Sequence, residues 1–125
     1  MGLMPSYLLD TNSVIYFFDG EEIVSDLIEN AKGQILISCI TKIELLCFET
    51  KDKTAVKGID DFLKEVEILY VDTNIIDSAV TYRKKYKLKV PDAIIAATAL
   101  HTGTPLLTRN VKDFKKVRGL KLLEV

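Results

Sequence analysis

The sequence lacks several features that would assign it to particular protein classes. No apolar run approaches the roughly 20 residues of a membrane span, which argues against a transmembrane protein and against a membrane partner. Residues 1–6 contain no basic stretch and no long apolar core, so no signal peptide is indicated and the cytoplasm is the expected compartment. Repeats, low-complexity tracts and an evident linker are also absent. With 125 residues, a single domain spanning 1–125 is expected.

Cysteine and histidine are scarce as well. Cys39 and Cys47 form no CxxC motif, and we expect two small buried thiols, with a metal or redox role as the alternative. The only histidine, His101, falls late in a predicted helix, where a solvated side chain or a cation near the helix C-terminus is expected. Neither residue type therefore offers an obvious reaction centre.

The net charge is only −1, but the charge is distributed unevenly along the chain. Residues 1–79 contain 6 Lys/Arg and 15 Asp/Glu, a balance of −9, whereas residues 80–125 contain 11 Lys/Arg and 3 Asp/Glu, a balance of +8. Such asymmetry is typical of a protein whose basic part meets a polyanion. The alternative is that asymmetry along the sequence does not become asymmetry in space.

Strand-like and helix-like segments alternate along the chain. Buried strands are predicted at 7–10, 34–38, 68–71, 106–108 and 120–125. Helices are predicted at 21–30, 41–49, 59–65, 73–86 and 91–101, a helix or turn at 13–18, a polar loop at 51–54, and a helix stop at Lys32 and Gly33. This alternation predicts an α/β fold with a central, parallel, twisted sheet of four to five strands and helices on both faces.

Carboxylate and amide side chains stand where these segments end or begin. They are Asp10 after the first strand, Glu44 after the second, Asp92 at a helix start, and Asn110 with Asp113 after the fourth strand. In a parallel sheet the strand ends share one edge, which is where ligands bind. We expect Asp10, Glu44 and Asp92 to converge with no Lys or Arg neutralising them, and two such carboxylates ~4 Å apart repel by roughly 4 kcal/mol at an effective dielectric of about 20. A hard cation such as Mg²⁺ or Mn²⁺ is the usual relief.

Each acid also has a simpler structural interpretation. Asp10 fits a helix cap, although Asp10 and Asn12 cannot both be that cap. The segment Thr41-x-x-Glu44 matches a capping box, in which both side chains bond to backbone N–H groups. Asp92 fits a first-turn acid that interacts favourably with the helix dipole. The coincidence of all three with a polar-ended last strand favours a shared site.

Four motifs carry these acids: Leu9-Asp10-Thr11-Asn12, Thr41-x-x-Glu44, Pro91-Asp92-Ala93-Ile94-Ile95-Ala96-Ala97 and Leu107-Thr108-Arg109-Asn110-x-x-Asp113-Phe114. Together they resemble the motifs of PIN-domain ribonucleases and, in detail, of VapC-type toxins from toxin–antitoxin pairs. The resemblance covers nearly the whole chain in the family's order and spacing. It implies a PIN-like sandwich, an endoribonuclease dependent on Mg²⁺ or Mn²⁺, and an antitoxin protein as partner.

The resemblance also implies roles by position. Asp10, Glu44 and Asp92 match the family's first three catalytic acids, while the fourth position falls on Asn110, an amide here, with Asp113 as a nearby carboxylate. Asp10, Asp92 and Asp113 are the expected metal ligands, with Asn110 as a further candidate. One firmly held ion is expected, and a second is left open. Hydrolysis by metal-activated water needs no protein nucleophile.

Contacts to the RNA substrate are expected from polar and basic side chains near the acids. Thr11, Asn12, Thr108 and Asn110 are suited to orienting the acids or touching phosphate. Basic residues suited to the RNA backbone are Arg109, Lys112, Lys115 and Lys116, and those of the stretch 82–89, in which Arg83, Lys84 and Lys85 stand between Tyr82 and Tyr86 and are followed by Lys87 and Lys89. For that stretch the alternative is a solvated helix face whose tyrosines reach the core.

Two further questions concern assembly and competing functions. The apolar segment 14–18, with Ile59, Phe62 and Leu63, predicts a homodimer surface, unless these residues are core. A haloacid-dehalogenase-like phosphatase is rejected because it needs an Asp where Asn12 stands. A receiver-like signalling domain is rejected because its acid pair and lysine are missing. A catalytically weak PIN-fold module that binds RNA or protein stays open because of Asn110.

Overall fold

The computed structural model of the protein describes residues 6–30 and 34–125, and the helix stop predicted at Lys32 and Gly33 lies outside them. The strands in this part of the chain are β1 (Tyr7–Leu9), β2 (Ile35–Ser38), β3 (Glu67–Leu69), β4 (Leu106–Thr108) and β5 (Leu122–Glu124). The helices are α1 (Thr11–Phe18), α2 (Glu22–Asn30), α3 (Cys39–Leu46), α4 (Lys53–Glu65), α5 (Thr73–Tyr86), α6 (Val90–Thr102) and α7 (Val111–Phe114). Strands and helices alternate as the sequence predicts.

The strands form one parallel sheet in the order β3-β2-β1-β4-β5. The strand β1 lies at its centre, with Leu9 beside Ile37 of β2 on one side and beside Leu107 of β4 on the other. Because all strands run the same way, the residues that follow β1, β2 and β4 meet at one edge. The predicted parallel sheet of four to five strands is confirmed.

The core has two layers, one on each face of the sheet. Successive residues of a strand point to opposite faces. Leu8 therefore packs with Ala96 of α6 in one cluster, while Leu9 packs with Phe62 of α4 in the other. All these side chains are at least nine-tenths buried. Helices thus cover both faces, as predicted, and α5 and α6 lie on the face opposite α1 and α4.

Three helices begin earlier than predicted because other residues cap them. Helix α1 begins at Thr11 rather than at residue 13, with Asp10 as its cap. Helix α3 begins at Cys39 rather than Thr41, since the Ser38 side chain accepts a hydrogen bond from the Ile40 amide at 3.2 Å. Helix α4 begins at Lys53, because the side chain of Asp52 accepts from the Thr54 amide at 2.9 Å. Residues 53 and 54 of the predicted loop 51–54 therefore belong to a helix.

The prediction of two buried thiols is wrong. Cys39 is partly exposed at the first position of α3, and Cys47 is exposed as the residue that ends the same helix. Cys47 lies outside the core because the buried positions of α3 are Thr41 and Leu45. Within residues 6–30 and 34–125, no helix has both the length and the apolar character needed to cross a bilayer.

Candidate active site

The carboxyl edge of the sheet carries a polar pocket of about 230 Å³. Every acid singled out from the sequence lies in its wall, together with the amide at the fourth acidic position. The lining residues are Asp10, Thr11, Asn12, Glu44, Lys89, Pro91, Asp92, Ile95, Asn110 and Asp113. The structure thus brings together residues from four separate segments of the chain.

Asp10 is the most firmly held of the acids. It follows β1 and caps α1, where its Oδ1 accepts a hydrogen bond from the Ser13 amide at 2.9 Å. Its Oδ2 accepts from the Thr108 hydroxyl at 2.6 Å, and the residue is only 5% exposed. Asp10 is therefore both the cap of α1 and a member of the shared pocket. Each carboxylate oxygen has two lone pairs, so acceptor capacity remains on both.

Two buried hydroxyls fix the position of Asp10. Thr108, at the end of β4, donates to Asp10 and accepts from the Asn110 amide at 2.9 Å. The Ser13 hydroxyl donates to the Leu107 carbonyl at 2.9 Å and so joins α1 to β4. The sequence interpretation included Thr108 but missed Ser13. The signal for Ser13 was its place three residues after a capping Asp, inside an otherwise apolar segment.

Glu44 reaches the pocket from within α3, so the alternative interpretation of Glu44 as part of a capping box is wrong. The helix already begins at Cys39, and Thr41 is a buried residue within it. The Thr11 hydroxyl donates to Glu44 Oε1 at 2.6 Å, and Thr41 Oγ1 lies 3.1 Å from the same hydroxyl. Thr11 of α1 therefore holds one oxygen of Glu44 and leaves the other oxygen free of this bond.

Asp92 lies in the first turn of α6, where Pro91 helps to start the helix. Burial raises the pKa of the Asp92 carboxyl above its usual value, and the nearby Asp10 carboxylate raises it further. Asp113 and Glu44 act in the same direction, while Lys89 lowers this pKa. These effects are those expected of neighbouring like charges in a partly dry pocket.

The short helix α7 brings Asp113 to the pocket. Asn110 stands at its N-cap position without a side-chain capping bond, and Asp113 follows in the first turn. Both residues line the pocket, so the amide and the carboxylate at the fourth acidic position share one rim. Asp113 Oδ1 also lies 3.9 Å from the Lys116 ammonium group, a long and exposed contact.

Lys89 contradicts the expectation that the acids meet without a basic neighbour. It immediately precedes α6 and is in the pocket wall with the acids. The sequence interpretation included Lys89 only as the last residue of the basic stretch 82–89, which falls in none of the four motifs and was not expected to lie among the acids. Its position became evident only from the packing of α6 against the sheet.

The predicted RNA contacts divide into two groups by position. Lys112, Lys115 and Lys116 are exposed on or just after α7, next to the pocket rim. The Arg109 guanidinium group instead stacks 4.2 Å from the Tyr16 ring centroid and forms an ion pair with Glu21 at 2.9 Å. Arg109 is therefore held by the protein itself.

The basic stretch of α5 lies away from the acids. Arg83 and Lys84 line a separate groove, and Lys85 lies 5.3 Å from the Tyr86 ring centroid. Tyr82 and Tyr86 pack against the core. For these two tyrosines, the alternative of a helix face anchored in the core agrees with the structure.

The chemistry of the pocket fits a hard divalent cation. The four carboxylates and the amide oxygen of Asn110 offer oxygen ligands, which Mg²⁺ and Mn²⁺ prefer. As the side chains stand in the described ranges, no three Asp, Glu, His or Cys residues are close enough to hold an ion together. Ligation would therefore require the half-buried Asp92 and Asp113 to move toward the fixed Asp10.

The chain is similar to known proteins over nearly its whole length. The family model described as PIN domain matches residues 7–120. The chain is 37% identical over 98 residues to Ribonuclease VapC of Rickettsia bellii, a match that covers 78% of this chain and 61% of that protein. That is less than two thirds of the relative's length. Identity to Ribonuclease VapC1 of Rickettsia felis is 32% over 131 aligned positions, covering 94% of this chain and 95% of that protein.

A solved structure has the same fold as this chain. The chain superposes on a chain of a toxin–antitoxin complex from Klebsiella pneumoniae with a TM-score of 0.80 and 34% sequence identity. The superposition covers 94% of this chain and 95% of that chain. All the pocket residues fall within the range 7–120 that the family model matches.

Proposed function

The chain belongs to the PIN-domain family, and on that premise we propose that it is a metal-dependent endoribonuclease that acts as the toxin of a type II toxin–antitoxin pair. The observation that carries this proposal is the pocket in which Asp10, Glu44, Asp92 and Asp113 meet with Asn110. The relatives named Ribonuclease VapC support the same activity. We assign this activity to one PIN-like domain, residues 1–125, working in the cytoplasm.

The residues suited to hold Mg²⁺ or Mn²⁺ are Asp10, Asp92 and Asp113, with Asn110 as a neutral oxygen ligand. When bound, such an ion makes water more acidic and offsets negative charge on the phosphate. Asp10 is the anchor, because two hydrogen bonds already fix its carboxylate. A neutral amide in the fourth position weakens attraction for a second ion, so we propose one firmly held ion and a weak second.

Glu44 is suited to direct the attacking water. One of its oxygens is held by the Thr11 hydroxyl, so the other is available to accept a hydrogen bond from water and take its proton. The water oxygen then bonds to phosphorus while the bond from phosphorus to the leaving ribose oxygen breaks. No side chain attacks the phosphate, which agrees with a lone His101 that contacts the exposed Ser78 hydroxyl at 3.0 Å.

RNA contacts are proposed for the residues on the pocket rim. Thr11 and Thr108 act mainly by holding Glu44 and Asp10, because their hydroxyls already make those bonds. Asn12 and Asn110 are free to contact phosphate or sugar. Lys112, Lys115 and Lys116 offer positive charge beside the rim, while Arg109, Arg83, Lys84 and Lys85 would contribute only through a longer RNA path.

We propose an antitoxin protein as partner and a homodimer as the assembled form. Phe17, Phe18 and Phe62 line a groove of about 660 Å³ that is suited to an apolar helix. Val14, Ile59 and Phe62 are buried, so for them the alternative of a core position holds. The surface left for a partner therefore centres on Phe18, which is 37% exposed. Light scattering that shows a strict monomer at high concentration would contradict the homodimer.

A cleavage assay with purified protein tests the proposed activity. Single-stranded RNA should be cut in the presence of Mg²⁺ or Mn²⁺ and left intact with EDTA. Because water and not the ribose 2′-hydroxyl attacks, RNA carrying 2′-O-methyl groups should still be cut and no 2′,3′-cyclic phosphate should form. Cleavage that persists in EDTA, or that needs the 2′-hydroxyl, would exclude this mechanism. RNA binding without any cleavage would favour the binding module.

A further inference from the structure

One basic side chain stands among the acids of the pocket. Of the ten residues that line it in the described part of the chain, only Lys89 is a lysine or arginine. The pocket also contains the carboxylates of Asp10, Glu44, Asp92 and Asp113. A phosphodiester that enters this pocket therefore meets four negative side chains and a single positive one.

The backbone of Lys89 is rigid. The preceding residue, Leu88, is 2% exposed and so is anchored in the core. The Lys89 carbonyl accepts a hydrogen bond from the Ala93 amide at 2.8 Å, and Pro91 restricts the backbone in the first turn of α6. The side chain of Lys89 itself is exposed. The backbone of Lys89 is therefore fixed at the pocket, while its ammonium group can move to meet a ligand.

Two other cations near the site already have partners, and Lys112 and Lys115 do not line the pocket. The Arg109 guanidinium group pairs with Glu21 at 2.9 Å, and the Lys116 ammonium group lies 3.9 Å from Asp113. Lys89 is not part of any ion pair formed between described residues. Its three donor hydrogens are thus available to an incoming anion.

We propose that Lys89 is an RNA-binding residue of the active site, whose ammonium group contacts a backbone phosphate beside the acids. This inference rests on the proposed function, because it takes RNA as the anion. The contact gives the substrate one attraction in a pocket that otherwise repels it.

The test measures binding of a short, fluorescein-labelled single-stranded RNA of mixed sequence by fluorescence anisotropy in EDTA, at several salt concentrations. Variants are Lys89→Gln and Lys89→Arg, with Lys121→Gln as the matched control. Lys121 is exposed and immediately precedes β5, at the opposite edge of the sheet from the pocket. The control therefore removes the same charge far from the acids.

Lys89→Gln should raise the Kd for RNA by roughly 5- to 10-fold. It should also reduce the slope of log Kd against log salt by about 0.7, the value for one phosphate contact on a single strand. Lys89→Arg should restore the slope, and Lys121→Gln should leave both values as in the wild type. Circular dichroism establishes that each variant is folded.

An unchanged salt slope in Lys89→Gln, or an equal loss in Lys121→Gln, would overturn the proposal. So would a wild-type protein that does not bind the RNA at all. Cleavage in Mn²⁺ is scored separately on the wild type and reports on the proposed function. A protein that cleaves RNA but binds it equally well without Lys89 refutes the role of Lys89 alone. A protein that loses the salt slope in Lys89→Gln but does not cleave refutes the nuclease alone.

Discussion

The substitution Thr108→Val removes the hydroxyl that joins Asp10 to the end of β4 while keeping the shape of the side chain. Thr108 is completely buried, so water cannot replace the lost group easily. Its hydroxyl donates to Asp10 at 2.6 Å and accepts from the Asn110 amide at 2.9 Å. The change therefore leaves one carboxylate oxygen and one amide with a missing partner.

The expected loss of stability follows from these two bonds. A hydrogen bond to a charged group contributes roughly 1.5–3 kcal/mol, and an amide without its acceptor costs about 1 kcal/mol or more. The free energy of unfolding should fall by roughly 2–4 kcal/mol, which for a chain of this size lowers the Tm by roughly 6–15 °C. Because Asp10 is then less well oriented, more Mg²⁺ or Mn²⁺ should be needed for half-maximal cleavage.

The matched control is Thr98→Val. Thr98 is equally buried, but its hydroxyl donates to the Ile94 carbonyl at 2.8 Å, one turn earlier in α6. That carbonyl also accepts a backbone hydrogen bond within the helix, so loss of the Thr98 hydroxyl should lower the free energy of unfolding by less than about 1 kcal/mol. Thermal melts and metal titrations of both variants provide the assay. If Thr108→Val behaves like Thr98→Val in both measurements, the role assigned to Thr108 is refuted.

Two further predictions concern the other acids. The pKa of Asp92 is raised in the folded state, so its ionised form is less stable there than in the unfolded chain. Without metal, the free energy of unfolding should therefore rise as the pH falls through that raised pKa. Asp92→Asn should raise the Tm at neutral pH and remove this pH dependence. Equal melting curves of Asp92→Asn and the wild type in EDTA would contradict the prediction. Asp113→Asn should increase the metal concentration needed for cleavage without loss of folding, whereas Asn110→Asp should decrease it. Normal metal dependence in Asp113→Asn would leave Asp113 structural and Asn110 as the fourth ligand.

The sheet and the meeting of the acids could be predicted because they depend on short-range signals. Apolar strands that end in Asp10 or Thr108 are visible in the sequence, and parallel order brings their ends to one edge. Once the strand order is β2-β1-β4 at the centre, Asp10 and Asn110 must be neighbours. The prediction therefore needed no knowledge of side-chain contacts.

The predictions were wrong where two local signals competed for one helix start, or where tertiary packing determined the partner of a side chain. Ser38 and Thr41 are both good helix caps, and only the end of β2 at Ser38 selects the earlier one. The basic character of Arg109 suggested a phosphate contact, but Tyr16 and Glu21 hold its guanidinium group in the fold. Such long-range partners are not visible from spacing along the chain.

The most direct test of the central claim compares Asp10→Asn with Asp72→Asn in the cleavage assay. Both aspartates cap a helix by accepting a backbone amide hydrogen at 2.9 Å, that of Ser13 for Asp10 and that of Ile75 for Asp72, and asparagine keeps this capping oxygen. Only Asp10 lies in the acid pocket.

If the pocket is the catalytic site, Asp10→Asn should lose roughly 100-fold or more of the Mn²⁺-dependent cleavage. It should also lose most of the rise in Tm that the metal produces by binding the folded state. Asp72→Asn should retain both. Equal cleavage by the two variants, with both folded, would contradict the assignment of the pocket as the site of RNA hydrolysis.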